Sequence, residues 1–279
     1  MRQIDLTYNK RPDRYLLLES DEVIPAVKSI EKRLTGYLAR NRAWSGGNSF
    51  DELLNKIMLG DEKLVAASEA MLEKIEDQIP MSKGYQTIDD VVGAFPNIPS
   101  YLAGQPMCMR RRKRVAKDNA PLVIYMDLTS SAGIDAKRIQ DRGTVLLALV
   151  RRLVEHRAVE LWVGTGLGGG YNQVSGTVAW RIDTAPLDLA RAAFRIASTS
   201  IARGFGYEMA SEKFETGGGW PLGDFRKHTA TAKERLANVF EGQEILYVPP
   251  IFLTDEMTTD PVGWVKRTLK EYVGGGDDE

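Results

Sequence analysis

The chain has 279 residues, 43% of them hydrophobic and 27% charged, enough apolar material for one large domain or two small ones and too much for a disordered chain. Its 37 basic and 38 acidic residues leave a net charge of −1, so overall charge recommends neither nucleic acid nor an anionic membrane, and any such affinity must be local. One cysteine, Cys108, excludes an internal disulfide, and two histidines, His156 and His228, are too few for a Cys/His zinc site.

The N-terminus, Met-Arg-Gln-Ile-Asp, lacks an apolar signal core, and no run approaches the roughly eighteen apolar residues of a membrane span. A cytoplasmic protein with no membrane partner is expected. Residues 1–79 read as a helical N-terminal region, because Ile24, Val27, Ile30, Leu34 and Leu38, then Leu53, Ile57, Leu64, Met71 and Ile75, recur at helical spacing. The Ser45–Ser49 break separates two helices, with Asn48 or Ser49 placed to cap the second, and Asp61 starts a third after Gly60.

Residues 80–120 carry Pro80, Gly84, Gly93, Pro96, Pro99, Gly104 and Pro106, which make long regular elements improbable and mark an irregular connector. Its Val91, Val92, Phe95, Ile98, Tyr101 and Leu102 are too apolar for a solvated linker and are expected to pack across the following domain. The connector ends in the densest charge feature of the chain, Arg110, Arg111, Arg112, Lys113 and Arg114, with Lys117 close behind. Such a run can neutralise phosphates of a single-stranded nucleic acid; the alternative is a solvated segment paired with surface acids.

From residue 121 strands and helices alternate: strand 121–127, helix 135–156, strands 159–165 and 174–183, helices 186–198, 200–213 and 225–240, strand 244–253 and helix 261–272. This order predicts an α/β fold with a largely parallel sheet flanked by helices, the 159–165 and 174–183 pair being short enough in its connection to run antiparallel. Residues 274–279, Gly-Gly-Gly-Asp-Asp-Glu, read as a disordered acidic tail.

The chemistry concentrates where the first of these strands ends. Leu122–Met126 is a continuous apolar run, and Asp127, Thr129 and Ser131 follow at the carboxyl edge, the usual place for ligands in an open α/β sheet. Carboxylate and hydroxyl oxygens suit a hard cation, Mg2+ or Mn2+; the alternative is that they cap the next helix. The Asp-x-Thr-x-Ser spacing resembles the Asp-x-Ser-x-Ser signature of von Willebrand factor A domains. Their metal-ion-dependent adhesion site also draws a Thr and an Asp from later loops, and the matching residues here are Thr199, in Ala-Ser-Thr-Ser, and Asp255, in Ile-Phe-Leu-Thr-Asp, where Glu256 stands in place of the family's Gly. The resemblance covers residues 121–273, about half of the chain, and implies an A-domain-like fold with a bound divalent ion that a partner's carboxylate completes.

Phe95-Pro-x-Ile-Pro-x-Tyr-Leu-Ala-Gly104-x-Pro-Met-x-Met-Arg-Arg-Arg, with the later Thr-Ser-Ser-Ala-Gly-Ile, resembles proteins encoded by tailed bacteriophages and implies a phage origin and action in a bacterial host. The expected function is a non-enzymatic binding or assembly module with a metal-dependent site for a protein partner. Two alternatives remain open: a single-stranded nucleic-acid-binding or phage transcription or replication accessory factor using residues 110–117, and a metal-dependent phosphoryl-transfer enzyme, which needs more strand-end carboxylates than Asp127 and Asp255. Gly164–Gly170 lacks the helix that a dinucleotide-binding loop must open, and reads as a hairpin tip.

Overall fold

A computed structural model describes residues 1–8, 11–78, 85–93, 95–114, 121–130, 133–168, 175–214, 220–221, 229–251 and 255–274. The strands are β1 (Arg2–Tyr8), β2 (Arg11–Leu18), β3 (Tyr85–Asp90), β4 (Phe95–Pro96), β5 (Met109–Arg114), β6 (Leu122–Asp127), β7 (Val159–Gly168), β8 (Ser175–Ile182), β9 (Trp220–Pro221) and β10 (Ile245–Val248). The helices are α1 (Val23–Ser29), α2 (Glu31–Arg40), α3 (Phe50–Leu59), α4 (Glu62–Gln78), α5 (Ile98–Leu102), α6 (Ala136–Leu153), α7 (Leu189–Ala197), α8 (Tyr207–Phe214), α9 (Thr229–Val239), α10 (Glu256–Thr259) and α11 (Pro261–Leu269).

The fold is α/β, as expected. The main sheet runs β1-β2-β8-β7-β6-β10, with β9 against the far end of β7. Parallel pairing joins β2 to β8, β7 to β6 and β6 to β10, while β7 and β8 run antiparallel, as their short connection predicts. Every residue of β6 is buried, because helices cover both faces and successive side chains alternate between them. Leu122, Ile124 and Met126 join the larger core under the α1–α4, α6, α7 and α8 layer. Val123 and Tyr125 join Trp162, Tyr247 and Phe240 in a smaller core beneath α9.

Residues 1–79 are not helical throughout: Arg2–Tyr8 and Arg11–Leu18 form the antiparallel β1–β2 pair that extends this sheet. Tyr15, Leu16, Leu17 and Leu18 are all buried, each face taking alternate residues, and a short apolar run buried on both sides has no periodicity to separate strand from helix. Helices α1 to α4 follow between Val23 and Gln78. Ser49 caps α3 in a full capping box with Glu52, and the Asp61 carboxylate accepts the Lys63 amide at the start of α4. The expected helix 200–213 is a π-helical stretch, Ser200–Gly206, running into α8.

The connector also differs from its reading. It contains a small sheet of order β3-β5-β4, with the basic run forming its central strand. Val91, Val92, Ile98, Tyr101, Leu102 and Met107 stand exposed instead of packing across the domain. Short strands survive the many Gly and Pro residues because those residues fall between the strands or, like Pro96, at an edge.

Candidate functional site at the carboxyl end of β6

The backbone after β6 is laced to its neighbours. The Leu128 amide donates to the Gly164 carbonyl (2.7 Å), and the Gly166 amide donates to the Thr129 hydroxyl (3.1 Å), both on β7. Ser130 continues the sheet on the other side through a parallel bridge to Ile251, beyond β10. The Tyr207 hydroxyl donates to the Ser130 carbonyl (3.1 Å) and accepts from its amide (3.2 Å). Asp127 folds back on this loop, its carboxylate accepting the Thr129 amide at 2.8 Å. Asp127, Thr129 and Ser130 are all buried.

Asp255 reaches the same region from the start of α10, where its carboxylate accepts the Met257 amide as an N-cap. Its other oxygen lies 2.5 Å from Nε of Arg142, a residue of α6 whose side chain is 3% exposed. Arg142 also donates to the Pro249 carbonyl. Burial pushes the guanidinium's pKa down, and the negative charges of Asp255 and then Asp127 oppose that shift. A cation belonging to the protein thus pairs with Asp255 and lies within electrostatic reach of Asp127.

A second buried arginine fixes the loop from the opposite side. Arg203, in the π-helical stretch, donates to the Ser130 hydroxyl (3.2 Å), the Ile134 carbonyl and the Trp44 carbonyl (3.2 Å), and its guanidinium stacks 4.7 Å from the Trp44 ring centroid. This contact ties the N-terminal helical layer to the β6–α6 loop. Beneath the loop, Tyr125 and Tyr247 stack at 6.3 Å, and burial first, then the charge of Asp127, pushes both hydroxyls up. Gly164 leaves the room that the Tyr125 hydroxyl occupies.

Of the five residues expected to bind a metal, Asp127, Thr129 and Asp255 gather around this strand end. Thr199 lines a different cleft of about 490 Å3 with Lys56, Asp61, Lys137 and Asp141, whereas Arg142 and Asp255 line one of about 390 Å3 with Tyr247, Trp264 and Glu271. Thr199 instead packs against Gly46, and the neighbouring Ser200 hydroxyl bonds the Ser45 carbonyl and Asn48. Ser131 lies outside the described residues. No group of three His, Cys, Asp or Glu among the described residues is placed to hold a metal ion. Of the basic run, Arg110 and Arg111 pair with Asp89 (3.4 Å) and Asp90 (2.6 Å); Arg112, Lys113 and Arg114 continue β5, and Lys117 lies outside the described residues.

Arg142 was the residue missed by sequence reasoning, and its signal was available: it falls on the apolar stripe Ile139, Val145, Leu146 and Leu149 of α6, where a charge needs a buried partner. Arg203, set among Ile201, Ala202 and Phe205, carries the same mark. Among the described residues, no helix is long and apolar enough to cross a membrane.

No curated protein and no solved structure matches this chain. One family model does, from residue 13 to residue 272, so most of β2, the helical layer, the small basic sheet and the strand-end site fall within a single matched unit. The chain belongs to the family described as Domain of unknown function (DUF7192).

Proposed function

We propose that this protein is a phage-encoded, non-enzymatic binding and assembly module, similar to von Willebrand factor A domains at its central strand, in which Arg142 supplies the positive charge that the adhesion-site resemblance assigns to a divalent ion. The buried Arg142–Asp255 ion pair carries this reading. Asp255 is engaged by Arg142 and by the α10 cap, and Asp127 is buried and accepts the Thr129 amide. Carboxylates spent in this way hold the β6, β10 and α6 ends together and are poorly placed to act on a substrate, which weighs against the phosphoryl-transfer alternative. Thr199, in its separate cleft, weighs against a shared Mg2+ or Mn2+ site.

The test is titration of the intact protein with Mn2+ followed by electron paramagnetic resonance, in which binding removes the signal of the free aqueous ion. With Arg142 as the resident cation, the signal matches that of buffer through the micromolar range. Stoichiometric loss of signal that disappears in Asp127→Ala would restore the metal-dependent reading, with Mg2+ or Mn2+ as cofactor and a partner's carboxylate as its final ligand.

A further inference from the structure

The small sheet carries a surface that the strand-end site does not use. Among the described residues eight large apolar side chains stand exposed, and six of them, Val91, Val92, Ile98, Tyr101, Leu102 and Met107, lie within this one segment. They are gathered at one end of the sheet. The Val91 amide donates to the Asp90 carboxylate, Gly93 abuts the Arg110 backbone, and the Asn97 amide donates to the Cys108 carbonyl while its side chain donates to Asp89. The loop, α5 and the ends of β3 and β5 thus form one tip. Single exposed apolar residues need no explanation, but a group of this kind marks an interaction surface.

Charge decides what it receives. Residues 85–114 contain five basic and two acidic residues, a net +3 in a chain of net −1. Asp89 and Asp90 pair with Arg110 and Arg111. The next three positions of β5, Arg112, Lys113 and Arg114, stand opposite Thr87, Gln86 and Tyr85 in the register, none of them acidic. An aliphatic tip therefore adjoins a strand that carries all five basic residues of the segment against two acids. Single-stranded nucleic acid would gain most from aromatic platforms, and Tyr101 is the one exposed aromatic among the described side chains of this segment. Aliphatic side chains beside basic ones instead suit a protein segment with an apolar stripe and acidic flanks.

We infer that the β3–β5 lobe docks an acidic, amphipathic segment of a protein partner, with its apolar stripe on Val92, Ile98 and Leu102 and its carboxylates along β5. This names the partner chemistry of the binding-module reading and rests on it. The probe is a fluorescein-labelled 20-residue helical peptide of Glu and Leu at amphipathic spacing, read by anisotropy against the full chain. Val92→Asp/Leu102→Asp and Arg112→Glu/Arg114→Glu should each weaken binding about tenfold or more, about 1.4 kcal/mol, and added salt should weaken it in the wild type; unchanged circular dichroism and melting would show that both variants remain folded. Peptide binding that neither variant alters overturns the inference. So does capture of a 20-mer oligo-dT or of phosphatidylserine vesicles in place of the peptide, or a wild-type dimer in sedimentation that Leu102→Asp makes monomeric. Absence of peptide binding in a protein that ignores Mn2+ removes the lobe assignment alone and leaves the strand-end reading standing.

Discussion

Arg142→Met removes the buried cation while keeping most of the aliphatic stem, and leaves the Asp255 and Asp127 charges without it at the sheet end. Breaking a buried pair from one side costs about 3–5 kcal/mol, because the remaining charge stays desolvated. An unfolding entropy of roughly 2.1 cal/mol/K per residue, taken over 279 residues, is about 0.6 kcal/mol/K, so the expected fall in Tm is about 5–9 °C. Asp255→Asn keeps a side-chain oxygen for the Met257 amide, and so preserves the α10 cap, while removing the charge. Combined with Arg142→Met it should recover at least about 1 kcal/mol of the loss, a coupling that independent sites do not show. Calorimetry or urea unfolding of the four proteins measures this directly. A cost for Arg142→Met below about 1 kcal/mol, or additive single variants, would refute the assignment of Arg142 as the internal counter-ion.

Arg203→Lys should cost about 2–4 kcal/mol in urea unfolding, since an ammonium cannot reproduce the fork that reaches Ser130, Ile134 and Trp44 together; a loss below about 0.5 kcal/mol would show that the fork is dispensable. Gly143→Ala on α6 should destabilise by about 1–3 kcal/mol despite the better helix propensity of Ala, because its Cβ would lie 2.5 Å from Cβ and 2.8 Å from Cα of Ala197 on α7; a stabilised variant would mean that the two helices separate freely. Asp13 is buried beside Arg235, 3.3 Å away, and burial raises its pKa above 3.8 more than Arg235 and the Tyr15 hydroxyl lower it. The folded chain then holds a proton that the unfolded chain releases, so the stability linked to Asp13 is fully present below about 3.8 and is lost as pH rises through the raised folded value. The Tm of wild type minus that of Asp13→Asn should therefore fall with rising pH across this window, and a difference that grows would reverse the sign.

The second half of the fold was legible because its strands and helices differ in length and in patterning. Strand 121–127, helix 135–156 and the antiparallel pair after them were all readable from apolar runs and their connections, and they emerged within a few residues as β6, α6, β7 and β8. The β1–β2 pair was not legible as strands, because Leu16–Leu18 is buried on both faces and its partner β8 lies more than 150 residues away in sequence. The basic run was visible as charge, but its position in the middle of a small sheet depends on pairing with residues on both sides of the Gly- and Pro-rich connector. At the site, Asp127 was singled out by its strand-end position and Asp255 by the family resemblance of Ile-Phe-Leu-Thr-Asp. Arg142 escaped because an arginine within a helix reads as a solvated residue unless the stripe around it is examined for partners, and the partner itself comes from a loop more than 100 residues further on.

The most direct measurement of the central claim is thermal unfolding of wild type, Asp127→Ala and Arg142→Met in EDTA, in Mg2+ and in Mn2+, because an ion that binds only the folded state raises Tm by mass action. With Arg142 as the resident cation, wild type melts at one temperature in all three conditions, and Arg142→Met melts well below it in EDTA. A wild-type Tm that rises with Mg2+ or Mn2+, and does so only while Asp127 is present, would contradict the claim and place a divalent ion at the end of β6.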